Sequence, residues 1–166
     1  ILLNNLLYDV SEIAIPFDHV DPESITKPVT WDIKLIEHFM LVFGPISSIF
    51  DFITFYALLR LFGASEALFQ TGWFIESITT QILVVFAIRT RRVFFRSQPH
   101  RLLMTMAFGA IAVAIAIPML PIGSWFGFVT PPPLFFAYLI GATVIYLTLV
   151  ELAKNLFYVR FAKHRT

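Results

Sequence analysis

Cysteine is absent from the 166 residues, which excludes disulfides, thiolate metal sites and thiol nucleophiles and leaves the redox compartment unread. Charge is scarce too: Asp, Glu, Lys and Arg make up 14% of the chain, against ~25% in soluble domains. The net charge is only +1, so no polybasic field argues for nucleic acid as a partner. The opening run does not read as a signal peptide, since it starts at Ile1 without a basic n-region and already holds Asn and Asp. Such an opening reads as the interior of a helix, and the expectation is a piece of something longer. What the sequence does have is apolar residues. They account for 58% of it, above the ~45–50% of soluble domains, and the partner this implies is a lipid bilayer.

The expected fold is an all-α membrane protein, a helical bundle in which a half-span is followed by four transmembrane helices. The half-span covers residues 1–15 and stops at Pro16, short of the ~20 residues a bilayer requires. Spans are expected at about 35–62, 67–88, 102–120 and 134–157. In the first of these, Gly44-Pro45 should kink the helix or open its backbone carbonyls. The stretch 110–117 alternates small and large residues like a strand, but the whole run is about twice the length of a membrane strand and decides for a helix. Within it Ala110 with Ala114, and Ala112 with Ala116, are pairs of small residues suited to close helix packing. Pro118 and Pro121 end that span, and Pro131-Pro132-Pro133 precedes the last.

Polar residues inside such segments are the candidates for function, because an ionisable group costs roughly 3 kcal/mol in hydrocarbon on insertion scales. Asn5 and Asp9 lie four apart in the half-span, so on a helix both oxygens project from one face, one turn apart. Oxygen ligands at that spacing suit a hard cation. The plainer alternative is that the pair caps a buried helix or hydrogen-bonds a neighbour. Ser47 and Asp51 share a face of the first full span. Glu76 is the only formal charge of the second, with Gly72, Thr79 and Thr80 near it, a stripe that should face other helices and not lipid. Glu151 and Lys154, at i, i+3 near the end of the last span, read as a structural salt bridge or a snorkelling arrangement.

The connectors set the topology. Residues 17–34 hold Asp18, His19, Asp21 and Glu23, which match no metal-ligand spacing and read as a solvated loop face. Residues 89–101 carry five arginines. With four full spans, the first connector, this loop and the segment from Lys154 onward fall on one side and hold eleven of the twelve Lys and Arg. By the positive-inside rule that side, with the carboxy terminus, is cytoplasmic, and residues 63–66 and 121–133 lie outside.

The stretch Asn5-Leu6-Leu7-Tyr8-Asp9 is similar to the ion-site motif on the sixth membrane helix of P-type cation ATPases, and the rest of the chain looks like helices seven to ten of that family. Trp73-Phe74-Ile75-Glu76 stands where helix eight carries a membrane acid, and Glu151-Leu152-Ala153-Lys154 resembles the Glu-x-x-Lys of helix ten. Asn5-Leu6-Leu7-Tyr8-Asp9-Val10-Ser11, Gly44-Pro45 with Ser47-Ser48-Ile49-Phe50-Asp51, and Leu68-Phe69-Gln70 with Gly72-Trp73-Phe74-Ile75-Glu76 most resemble the magnesium-transporting branch. The resemblance implies that residues 1–166 form the carboxy-terminal transmembrane domain of an ATP-driven pump in the cell membrane, a bacterial inner membrane being the expected setting. It makes Mg²⁺ the transported ion, Asn5 and Asp9 the first-rank metal ligands, and Glu76 and Asp51 second-rank ones that either help the site or bind helices together. The implied partner is the amino-terminal part of the parent ATPase, with its further membrane helices. The chain has no Asp-Lys-Thr-Gly-Thr phosphorylation motif and no glycine-rich phosphate loop, so ATP is expected to be used only by cytoplasmic domains that this chain lacks, and no catalysis is expected of it alone. Two other readings stay open at this point. A proton-pumping ATPase also uses an Asp on helix six, and a freestanding membrane protein acting as a channel subunit or transporter regulator would need no catalytic motif.

Overall fold

In lipid every backbone N–H and C=O must be satisfied within its own segment, so long apolar runs fold as helices. The computed structural model describes residues 2–19, 33–90 and 97–161, and over them the chain forms five α-helices and no strand. They are α1 (Leu2–Glu12), α2 (Ile33–Tyr56), α3 (Glu66–Ile88), α4 (Arg101–Ala116) and α5 (Pro133–Phe161). Four segments are long and apolar enough to cross a membrane: Ile36–Leu61, Glu66–Ile88, Arg101–Met119 and Pro133–Val159. The all-α bundle read from the sequence is therefore the fold observed.

Local chemistry accounts for the ends. Ser65 caps α3, its hydroxyl accepting from the Leu68 N–H at 3.3 Å, with Glu66 in the first turn where the helix dipole favours an acid. His100 caps α4 through Nδ1, which accepts from the Leu102 N–H at 3.1 Å. Proline cannot continue the ladder, so α4 tightens into 3₁₀ turns at Ile117–Met119 and Pro121–Phe126, and the second ends on Gly127 at φ 74°. Pro133 begins α5, where its missing N–H costs nothing.

The expected disturbance at Gly44-Pro45 is not where the irregularity falls. Helix α2 passes through Pro45 without a break and instead widens into a π turn at Ala57–Leu61, closed by the Ala64 N–H on the Leu58 carbonyl and by Gly63 at φ 54°. A Cβ on Gly44 would meet nothing within 4 Å, so this glycine does not serve close packing among the described residues.

Helix α3 is the axis of the bundle. Of its most apolar window 61% is buried, against 28% for each of the other three spans, and it touches α1, α2, α4 and α5. One core joins it to α1, α4 and the start of α5 through Phe74, Ile75, Ile78, Ala107, Ala110, Ala114 and Phe135. A second joins it to α2 and the rest of α5 through Phe43, Phe50, Ala87, Tyr146, Val150 and Phe157. Ala110 and Ala114 are buried, as close helix approach demands, whereas Ala112 is exposed and Ala116 half-buried. Each apolar contact removes surface from lipid or water alike, so what holds these helices is close packing.

Four contacts place the ends of different helices together. Asp18 pairs with Arg89 and accepts from the His100 N–H at 2.7 Å, Phe39 stacks edge-on against Phe157 at 5.7 Å, and Lys154 reaches the Ala87 carbonyl. The parts of the first connector, the 89–101 loop and the end of α5 that are described thus share one end of the bundle. Asp18 is also not the solvated loop acid expected: its side chain is 13% exposed and its ion pair is braced by Arg89 donating to the Ser97 carbonyl at 3.0 Å. Asp21, Glu23, Lys27, Arg91, Arg92, Arg96, Lys163 and Arg165 lie outside the described residues.

Candidate functional site

Helix α1 has two faces. Leu3, Leu7 and Tyr8 pack against the first core and Ser11 and Ala14 are buried, whereas Asn5, Leu6, Asp9 and Val10 are exposed. Asn5 and Asp9 therefore share a face, as their spacing requires, and that face is covered by no described residue of this chain. The neighbouring Asn4, which the four-residue spacing passes over, turns inward. Its Nδ2 donates to the Ser77 hydroxyl at 3.3 Å, while its Oδ1 is buried without a partner among the described residues.

The second-rank residues come together elsewhere. Asp51 on α2 and Glu76 on α3 line one cavity of about 90 Å³ with Ser47, Phe50, Ser77, Thr80, Gln81, Val84 and Tyr146. Glu76 is 1% exposed, and its Oε2 has no hydrogen-bond partner among the described residues. The hydroxyls around it are held by backbone and by each other: Thr80 donates to the Glu76 carbonyl at 2.9 Å, and Ser47 and Tyr146 pair at 2.9 Å. Ser77 belongs to this cavity and to the Asn4 contact at once, so it is the bridge between the inner face of α1 and the acids on α2 and α3.

The structure thus groups the four candidates in two pairs, Asn5 with Asp9 on the outer face of α1 and Asp51 with Glu76 inside the bundle. Among the described residues no three His, Cys, Asp or Glu side chains converge as a ready-made metal centre. Asn4, Ser77 and Tyr146 were not singled out from the sequence. A signal existed for the first, because Asn4, Tyr8 and Ser11 recur at helical spacing and mark a polar stripe on the packed side of α1.

Glu151 and Lys154 form an ion pair at 2.7 Å. Lys154 is fully buried and its Nζ donates to the Ala87 carbonyl at 2.8 Å. Its ammonium therefore does not snorkel to an interface; it closes the buried carbonyl end of α3, where a cation is favoured.

Residues 1–156 match the family model described as cation transporting ATPase, C-terminus. Two proteins named magnesium-transporting ATPase, P-type 1, from Salmonella typhimurium (strain 14028s / SGSC 2262) and Escherichia coli (strain K12), are each 42% identical over 166 residues, 97% of this chain. A further protein of that name from Salmonella typhimurium (strain LT2) is 38% identical over 168 residues, 98% of the chain. The chain spans 18% of the length of these relatives. Four membrane-length helices and a family match over nearly the whole sequence lead to one conclusion: this multi-pass membrane chain belongs to the cation-transporting ATPase family, as its carboxy-terminal region.

Proposed function

We propose that the chain is the carboxy-terminal membrane domain of a magnesium-transporting P-type ATPase and supplies part of its intramembrane ion path. The observation that carries this is the 42% identity over 97% of the chain to proteins named for magnesium transport, which also favours a pump domain over a freestanding channel subunit or regulator. Mg²⁺ is the cargo. ATP hydrolysis belongs to cytoplasmic domains of the parent, and the amino-terminal helices of that parent are the partners that cover the outer face of α1. The end of the bundle shared by Asp18, Arg89 and Lys154 faces the cytoplasm of a bacterial cell.

Asn5 and Asp9 are the ligands. A small hard cation gives up water reluctantly and is held by one or two carboxylates with waters retained, and a carboxylate and a carboxamide on adjacent turns fit that need. Soft metals would call for Cys or His, which α1 lacks. Glu76 and Asp51, one helix further in, are second-rank oxygen donors reached through Asn4 and Ser77. Transport by the full-length protein in liposomes tests the reading. Asp9→Asn keeps shape and removes charge, so it should abolish Mg²⁺ transport with folded protein retained. Asn5→Ala should raise the half-saturating Mg²⁺ by about tenfold, ~1.4 kcal/mol, because a water replaces a neutral ligand. Parental transport by Asp9→Asn would remove Asp9 from the path, and proton flux without Mg²⁺ flux would favour a proton pump.

A further inference from the structure

From Leu102 to Val150 the chain holds no Asp, Glu, Lys, Arg or His. That run takes in the connector between α4 and α5, at the end of the bundle away from Asp18 and His100. A segment in water carries about one charge in four residues. This connector has apolar and aromatic residues instead, and its 3₁₀ turn Pro121–Phe126 sorts them by face. With three residues per turn, side chains at i and i+3 eclipse, so the turn has three rows. Gly123 is buried, and Phe126 in the same row stacks on Phe128 at 6.0 Å, which stacks in turn on Phe74 of α3 at 4.7 Å. The Val129 N–H donates to the Thr71 hydroxyl oxygen at 3.1 Å, a second tie to α3. Pro121 and Ser124 form the polar row, the Ser124 hydroxyl donating to the Pro121 carbonyl at 2.7 Å. Ile122 and Trp125 form the third row and point out of the molecule, 44% and 84% exposed, with Met119 and Leu120, also exposed, just before them in the chain. Trp125 is thus no loose tip: the turn that carries it is fastened to the axis of the bundle, and that fastening holds its ring outward.

We infer that the Ile122 and Trp125 face of this turn is a membrane anchor, seated in the interfacial layer of the bilayer and holding α3 at a fixed depth. The occupant is lipid for three reasons. The turn joins two membrane-length segments, Arg101–Met119 and Pro133–Val159, so it stands at the level where hydrocarbon gives way to headgroups. Tryptophan favours that level, because its ring is apolar and its N–H finds acceptors in water and in the ester oxygens of lipid. The face also asks nothing of a protein partner. Where the uncovered face of α1 presents a carboxamide and a carboxylate that need polar partners, this one presents only groups that apolar chains and a single acceptor satisfy. Because α3 touches every other helix of the bundle, an anchor fastened to α3 sets the depth of them all. None of this depends on which ion crosses the bundle.

The test is a depth measurement on the full-length protein, any cysteines of its own replaced, in vesicles of phosphatidylethanolamine and phosphatidylglycerol. Ile122→Cys and Ser124→Cys each carry an environment-sensitive fluorophore, and quenching is read with nitroxide lipids labelled near the headgroup or at the chain end, and with iodide on both sides of the membrane. The Ile122→Cys label should be quenched most by the headgroup-level nitroxide and sheltered from iodide, while the Ser124→Cys label, one row away, is open to iodide. Equal quenching of both by iodide would put the turn in water and overturn the anchor. An Ile122→Cys label reached by no quencher would show that a protein segment covers this face, and one quenched most by the chain-end nitroxide would put it in hydrocarbon; either overturns the anchor as well. In a Trp125→Ser background the Ile122→Cys label should move outward, with more quenching by iodide and less by lipid, and Trp125→Tyr should keep the parental depth. Unchanged quenching in Trp125→Ser would show that Trp125 holds nothing in place. If Ile122→Cys fails to fold, Leu120→Cys on the same apolar patch is read in the same way.

Discussion

At the scale of single residues, two glycines have opposite roles, and only their surroundings separate them. A Cβ at Gly123 would lie 2.5 Å from the Ile117 carbonyl oxygen and 3.0 Å from the Pro118 Cα. Backbone cannot yield as a side-chain tip can, so Gly123→Ala should destabilise the protein by about 1–3 kcal/mol, the usual range for overpacking. Gly44 sits exposed inside α2 with open space around it. There alanine relieves the entropic penalty of glycine in a helix, and Gly44→Ala should be neutral or stabilising by up to ~1 kcal/mol. Thermal unfolding of the two variants in detergent checks both signs; a Gly123→Ala protein as stable as its parent would show that the turn has slack. Surroundings decide for the polar residues too. Four-residue spacing puts Asn5 and Asp9 on one face, but whether that face or Asn4 turns toward the bundle depends on the rotation of α1, which is set by its inner side chains packing on α3 and α4.

At the scale of elements, one ammonium ties the end of α3 to α5, beyond the apolar cores that pack the two helices together. Lys154 Nζ serves the Ala87 carbonyl and the Glu151 carboxylate together, inside the protein. Removing one partner of a buried pair typically costs about 3–5 kcal/mol because the other is left uncompensated. Lys154→Met should therefore lower the unfolding temperature more than Glu151→Gln, which leaves the ammonium its carbonyl. Restoring charge balance with Glu151→Leu in the Lys154→Met background should recover most of the loss. An unchanged unfolding temperature in Lys154→Met would show that the link contributes nothing to stability. From sequence the pair was legible as a salt bridge, since i, i+3 residues meet on any helix. That its cation also closes the end of another helix was not, because Ala87 is 67 residues away and nothing local marks a carbonyl as the acceptor.

For the whole molecule, the proposed orientation predicts which ends meet the cytoplasm. Gln98 and Ser124 are exposed at opposite ends of α4. A membrane-impermeant thiol reagent added to intact cells should label Gln98→Cys poorly and Ser124→Cys well, and the reverse pattern would invert the topology. Fold class and the number of spans were determined by the sequence alone, because hydrophobic length is a property of consecutive residues and lipid leaves helices as the only open-ended solution. The sequence also determined the family, through motifs spread along the chain. The tertiary structure decided what no local pattern contains: that α3 is the axis, that Asp18 is a partner of Arg89 and not a solvated acid, and that Asp51 and Glu76 share a cavity while Asn5 and Asp9 lie on a face away from it. The reason is geometric. Helical periodicity fixes which residues share a face, but the rotation and register of one helix against the next are set by side chains that meet only once the bundle has packed.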